Sequence, residues 1–375
     1  MLTYTQIGVN VLVLCPHPEE SGGVAHYYSL VREYFKSDSI NLDFFYTGTN
    51  SVDGRGSRLF HTLSDLQSLN KTVPQYDLVV LNPSLDAKSI LRDGVYHAVA
   101  KWIHGKKTAI FFRGWSPKYE RIIDRHARGL FRLVFNADRL IILCSRFGNT
   151  LKAWGFPANR ISQETTTYEH HDYDVPKEPH KIIFLSRFAE GKGCLEAIQT
   201  VELLVREFPM VKLYMVGDGD MMSKLVSYVV EQNLGGHVEF TGWLAGEKKY
   251  RLLGQCGIML FPTNYGEGMP NCLVEGIGMG IPIITRPVAG ISDIISDGEN
   301  GFLISSLDPM DFAAKVSYLL RHHDVWVAIS ERNRTLGRER FAITSVVARL
   351  ESLYLDLLRQ QTGRDDDSLK AVKKA

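Results

Sequence analysis

Ten short runs of apolar residues recur along the chain, most of them ending in a turn residue and followed by a stretch with helical spacing. In the first half they are VNVLVLCP (9–16), LDFFYTG (42–48), YDLVVLNP (76–83), TAIFFRG (108–114) and RLIILCS (139–145). In the second half come KIIFLSR (181–187), VKLYMVGDG (211–219), VEFTGW (238–243), GIMLFPT (257–263) and IPIITR (281–286). Strands that are apolar at consecutive positions and alternate with helices predict parallel sheets covered on both faces. The rhythm breaks at the polar stretch 168–181, which holds two prolines and reads as a linker. The pattern therefore predicts an α/β protein of two doubly wound, Rossmann-like domains. The first spans 1–170, a linker follows at 171–180, and the second spans 181–340. A helix at 341–361 comes next, with Ile343, Val346, Val347, Leu350, Tyr354 and Leu357 on one face. Residues 362–375 have too little apolar content to pack and read as a disordered tail.

Length agrees with two domains, because 375 residues exceed what one core usually fills. With 23% charged residues and a net charge of +1, the chain lacks the basic excess of a nucleic-acid binder. Its five cysteines are scattered, with no metal-type pair, which fits a reducing compartment. No basic leader precedes the first apolar run, and no run is long enough to span a membrane. The expectation is a cytoplasmic protein, or one resting on the inner face of a membrane.

Three loops at strand-to-helix junctions carry candidate chemistry. In the first, Ser21-Gly22-Gly23 precedes a helix, so the backbone can approach a phosphate closely while the helix N-terminus stabilises its charge; a plain flexible loop is the alternative. In the second, LSRFAEGKG, Arg187 can grip two phosphate oxygens and Lys192 adds a point charge. This loop is not a P-loop, which needs glycine in place of Ser186 and Ser or Thr in place of Gly193. In the third, YGEGMPNCLVEG, Glu267 lies in a loop and Glu275 about one turn inside a helix. The intervening N–H groups of Gly268, Met269, Asn271 and Cys272 are placed to face an anion. A carboxylate there suits vicinal sugar hydroxyls, although two surface glutamates would fit the spacing equally.

The segment 265–304 resembles the donor-binding block of family 4 glycosyltransferases, retaining enzymes of the GT-B fold. Glu267, Gly268, Pro270, Glu275, Gly280 and Pro282 match the order of its signature, which includes Glu-x7-Glu. The likeness runs back through VGDGD, EFTGWL and SRFAEGKG to the Gly22-Gly23 loop, more loosely in the first half. The resemblance implies two domains with a cleft between them and a terminal helix crossing back to the first. It implies that Glu275 holds the ribose of a nucleotide sugar, that Glu267 contacts the transferred sugar, and that Arg187 and Lys192 neutralise the departing diphosphate. Gly22 and Gly23, with Gly242 and Trp243, complete the donor contacts. Glycosyl transfer builds negative charge on the leaving phosphate, so cations and N–H groups fixed there are the main catalytic lever.

The chain departs from the family in places. Arg113 stands where many members carry a histidine; it can hold an anionic acceptor or sugar, or serve structure alone. The usual turn before the linker is replaced by TTTYEHHDYD, whose His170 and His171 read as plain linker residues. The Asp-Gly-Asp at 218–220 imitates a metal motif but reads as a structural turn, and the chemistry is expected to need neither metal nor cofactor. Expected partners are a nucleotide sugar, UDP- or GDP-linked, and a glycan or lipid-linked acceptor. Residues 119–136 place Arg121, Arg125, Arg128 and Arg132 along a helical face, which suits an anionic membrane or an ordinary amphipathic helix. The competing functions are an epimerase or hydrolase of the same architecture, and a non-catalytic sugar-nucleotide binder.

Overall fold

A computed structural model describes residues 8–20, 22–47, 58–171, 176–266 and 268–372. Ser21, Glu267 and part of the 171–180 stretch lie outside the described residues. The chain forms two compact units: Met1–Thr165 with Ile343–Ala375, and Thr166–Ala342.

Unit 1 contains strands β1 (Val9–Cys15), β2 (Ile40–Tyr46), β3 (Leu78–Leu81), β4 (Ser84–Leu85), β5 (Lys107–Phe112), β6 (Gly114–Trp115), β7 (Arg139–Ile142) and β8 (Ile161–Gln163). Its helices are α1 (Gly23–Tyr34), α2 (Arg58–Thr72), α3 (Ala87–Ala98), α4 (Pro117–Ile122), α5 (Arg128–Val134) and α6 (Ser145–Ala153). Six strands form a wholly parallel sheet in the order β2-β1-β3-β5-β7-β8, while β4 and β6 pair separately. Leu12, Leu14, Val79, Leu81, Ile110 and Phe112 bury their side chains in the core on one face of this sheet.

Unit 2 contains β9 (Glu178–Leu185), α7 (Cys194–Leu204), β10 (Lys212–Val216), α8 (Met222–Glu231), β11 (Val238–Gly242), α9 (Gly246–Gln255) and β12 (Cys256–Phe261). It continues through α10 (Asn271–Gly278), β13 (Ile283–Thr285), β14 (Gly301–Leu303), α11 (Pro309–Arg321) and α12 (His323–Leu336). Its parallel sheet runs β11-β10-β9-β12-β13-β14. With its six strands counted along the unit, this is the 3-2-1-4-5-6 order of dinucleotide-binding sheets.

Several boundaries differ from the expected ones. Residues 178–180 belong to β9 rather than to a linker, and Tyr168 is fully buried against Gly278 and Gly337. The final helix, α13 (Ile343–Val372), continues beyond 361, where a disordered tail was expected. Once a helix is nucleated, each added residue costs little, and Gln360, Arg364, Leu369 and Ala371 are good helix formers. The first part of α13 packs on α1, burying Ile343, Val346, Leu350, Tyr354 and Leu357, with Val347 partly covered.

The segment 119–136 is not one α-helix. Between α4 and α5 lies a π-helical turn, Ile123–Ala127, and Ala127 leaves the helical region at φ −138°. Its apolar side chains divide: Ile123, Phe131 and Phe135 enter the core, whereas Ile122 and Leu130 stay exposed.

Candidate functional site

In a doubly wound sheet, ligands bind beyond the carboxyl ends of the strands, where the strand order reverses. In unit 2 that reversal separates β9 from β12. The two loops leaving these strands are the Arg187–Lys192 loop and the segment that enters α10.

Close packing holds the first loop in place. A Cβ on Gly193, whose φ is +85°, would lie 2.5 Å from the Pro262 carbonyl carbon and oxygen. No Ser or Thr fits there, which is the physical reason that the loop departs from a P-loop. From the other side, a Cβ on Gly219 would lie 2.4 Å from the Phe188 carbonyl oxygen, and one on Gly217 would overlap the Ser186 carbonyl. The Phe188 N–H donates to the Asp218 carbonyl at 2.8 Å. The Asp-Gly-Asp turn thus buttresses the residues flanking Arg187. Across the reversal, Asn264 N–H donates to the Gly191 carbonyl at 2.7 Å.

Arg187 itself is exposed, while Lys192 is buried with its ammonium 4.1 Å from the centre of the Tyr265 ring. Burial pushes the Lys192 pKa below the ordinary lysine value; the Cys272 thiol opposes that shift and the Arg187 charge adds to it. With the exposed Arg187, the buried Lys192 puts two cationic side chains in the loop that leaves β9, a combination suited to an anionic ligand.

The second loop ends at α10, whose N-cap is Pro270 and which has no side-chain cap. The first-turn amides of Asn271 and Cys272 therefore lack intrahelical acceptors. The side chains of this segment make contacts of their own. Met269 is buried and its sulfur accepts from Thr166 N–H at 3.4 Å; Asn271 Oδ1 accepts from the Thr166 hydroxyl at 2.5 Å. Gly268 is partly exposed. Burial, then the neighbouring Glu275 charge, raises the Cys272 thiol to about 12, so it stays neutral.

Glu275 is buried and ion-paired: Lys249 Nζ on α9 donates to its Oε1 at 2.8 Å. Lys249 was not singled out in the sequence. It lies 26 residues upstream, and only the packing of α9 brings it to the carboxylate. That contact engages one carboxylate oxygen of Glu275. Gly242, at φ +70°, accepts from Gly217 N–H at 3.0 Å through its carbonyl, and Trp243 beyond it is 73% exposed. Within unit 2, Lys249 pairs with Glu275, and Arg187 and Cys272 act electrostatically on Lys192, while Glu267 lies outside the described residues.

In unit 1, Gly22 is the N-cap of α1 at φ 152°, without a side-chain cap, and Gly23 opens the helix. Arg113 follows β5, with its guanidinium carbon 3.9 Å from the Tyr27 ring centre and 4.5 Å from that of Phe111. Its Nε and Nη1 are buried and have no hydrogen-bond partner among the described residues. His171, one of the adjacent histidines, lies against the Tyr250 ring and pairs with Glu169.

Residues 179–322 match the family described as Glycosyl transferases group 1. Among curated relatives, the amylovoran biosynthesis glycosyltransferase AmsK of Erwinia amylovora is 25% identical over 224 residues, 57% of this chain and 55% of that protein. The N-acetyl-alpha-D-glucosaminyl L-malate synthase of Bacillus anthracis is 27% identical over 188 residues, 50% of this chain and 48% of that one. The chain therefore spans only about half the length of these relatives. Among solved structures, HepE of Anabaena in complex with UDP and glucose superposes with a TM-score of 0.71 at 14% identity, covering 93% of this chain and 100% of that one. A glycosyltransferase from Rickettsia africae gives a TM-score of 0.73 at 16% identity, over 94% of this chain and 99% of that one. These likenesses show the fold: the chain is a GT-B protein, and its second unit carries the glycosyl transferases group 1 match.

Proposed function

We propose that the protein is a retaining glycosyltransferase. It moves a sugar from a nucleotide-diphospho sugar, a UDP-sugar, to a glycan or lipid-linked acceptor in polysaccharide or glycolipid synthesis. The observation that carries this reading is the placement of Arg187 and Lys192 in the loop after β9, where the strand order of unit 2 reverses. A departing diphosphate supplies the anion that both groups favour, and its developing charge strengthens the interaction in the transition state. The uncapped α10 amides add to it. Glu275, ion-paired with Lys249, takes the ribose hydroxyls, and the family resemblance assigns Glu267 to the transferred sugar. The chemistry is proposed to run without a metal. Retention rests on the family resemblance, and UDP as nucleotide is supported by the UDP found in HepE.

Thermal-shift binding across a panel of nucleoside diphosphates tests the reading, with Glu275→Ala and Glu275→Gln alongside. The glutamine keeps a hydrogen-bond acceptor for Lys249, so lost packing and lost recognition can be separated. Selective stabilisation by UDP that falls in both variants is expected. Stabilisation by no nucleotide would remove the donor site from unit 2.

A further inference from the structure

We infer that Arg286, the residue that leaves β13, is a positioning residue of the donor site: it holds the segment 263–265 in place and, through that segment, Lys192. That role presupposes the donor-site reading proposed above, but Arg286 itself lies outside the reversal between β9 and β12. The sheet runs β9-β12-β13-β14, so Arg286 emerges between the ends of β12 and β14. Its guanidinium reaches both neighbours. Nη1 donates to Asn264 Oδ1 at 2.7 Å, and Nη2 donates to the Ser305 carbonyl at 2.7 Å.

The segment that Arg286 holds is the seat of the Lys192 loop. Pro262 packs against Gly193, and the Thr263 hydroxyl and Asn264 N–H both donate to the Gly191 carbonyl, at 3.3 and 2.7 Å. Tyr265 N–H donates to the Thr263 hydroxyl at 3.1 Å, which helps to set the ring that faces the Lys192 ammonium. The inner end of this segment is fixed by the core: Thr263 is fully buried, and the Thr285 hydroxyl donates to the Phe261 carbonyl at 2.7 Å. The outer end is not. Asn264 is exposed, and its side chain bonds to Arg286 alone among the described residues. Without that bond, Asn264 and Tyr265 are tethered only through the Gly191 carbonyl and the Thr263 hydroxyl.

Two features favour this role over a plain surface tie. Arg286 Nε is buried without a partner among the described residues, and the hydrogen bonds of the guanidinium go to two neutral oxygens, so the charge is kept there at a cost. A neutral amide would tie one of those oxygens more cheaply; the planar fork spans both in fixed directions. Burial, Cys272, Arg187 and Cys194 account for the Lys192 shift, in that order, and Arg286 is absent from them. Arg286 therefore reaches the ammonium through the loop and not through its field.

Calorimetric binding of UDP to the full chain tests the role, with melting temperatures measured alongside. Lys192→Met should weaken UDP binding about tenfold, the loss of one charge-assisted contact. Arg286→Met should weaken it about tenfold in the wild-type background, and by less than about twofold in the Lys192→Met background. Asn264→Ala should repeat both results, and Arg286→Lys, which keeps one donor of the fork, should lose only about threefold. Melting temperatures should stay within about 2 °C of wild type, because these bonds lie at the surface. Should Arg286→Met melt lower, Asn264→Ala and Arg286→Lys decide by the same cycle. A loss that persists undiminished in the Lys192→Met background would overturn the role. Wild type that binds no UDP removes the donor site and this role with it, whereas UDP binding that Lys192→Met weakens and Arg286→Met spares removes the role of Arg286 alone.

Discussion

The two units are built on parallel sheets of six strands, yet they hold their strand-end groups very differently. In unit 2 the loop after the first strand is gripped on several sides, by Pro262 against Gly193 and by Gly217 and Gly219 against the backbone of Ser186 and Phe188. Its polar side chains are engaged as well: Lys192 lies under Tyr265, and Glu275 is tied to Lys249. In unit 1 the matching loop ends at Gly22, which has no described atom within 4 Å of an added Cβ, and the nearby cation Arg113 rests on ring faces. The difference is one of preorganisation. Fixed charges at the end of a rigid sheet stabilise developing charge without rearranging, whereas an open loop must be ordered by what binds to it.

Three measurements can break or sharpen that contrast. The largest expected effect is on turnover: Arg187→Ala should lower release of UDP from the best nucleotide sugar by about 100- to 1,000-fold. Because the side chain is exposed, stability should change by less than about 0.5 kcal/mol. Turnover within about threefold of wild type would show that the cation pair does not act on the leaving group. Next, Lys249→Met strands a buried carboxylate and should cost about 3 kcal/mol in urea unfolding. Arg113→Met, which removes the guanidinium from the ring faces of Tyr27 and Phe111, should cost about 1 kcal/mol. Equal costs would mean that the two units hold their cations equally firmly.

The last measurement concerns unit 1 and pH. Burial lowers the His97 pKa to about 4, and its ring nitrogens bond to the Val134 carbonyl at 2.6 Å and the Thr108 hydroxyl at 3.0 Å. The unfolded chain takes up this proton near pH 6.5, so stability is full above that pH and falls as pH drops towards 4. Between pH 7 and 5 the loss attributable to His97 is about 2 kcal/mol. His97→Gln should flatten that part of the stability profile; an unchanged slope would assign the pH sensitivity to other groups.

Much of the fold is legible in the sequence because buried parallel strands leave an unmistakable trace. Runs such as LVVL and GIMLF have no solvated face, so apolar residues stand at consecutive positions. β8 (Ile161–Gln163) and β14 (Gly301–Leu303) escaped notice: each is three residues long, and ISQ is largely polar. Site residues divide on similar lines. Arg187, Lys192 and Glu275 stand in local motifs that single them out in the sequence, although their spacing alone would fit plain surface residues. Lys249 does not, since its partner is reached only through the packing of α9, and no local pattern encodes that. The arginines of 119–136 were visible, but the π-turn and the split between core-facing and exposed apolar residues depend on neighbouring helices.

Unit 1 is completed by α13, whose residues follow all of unit 2 in the chain. During synthesis, unit 2 can therefore close its sheet and set its cations while unit 1 still lacks the helix that covers α1. Until Val346, Leu350 and Tyr354 arrive, that apolar surface is open to solvent and to other chains. The order of translation thus makes unit 1 the later and more vulnerable half to fold, the one most dependent on protection while the polypeptide is being made.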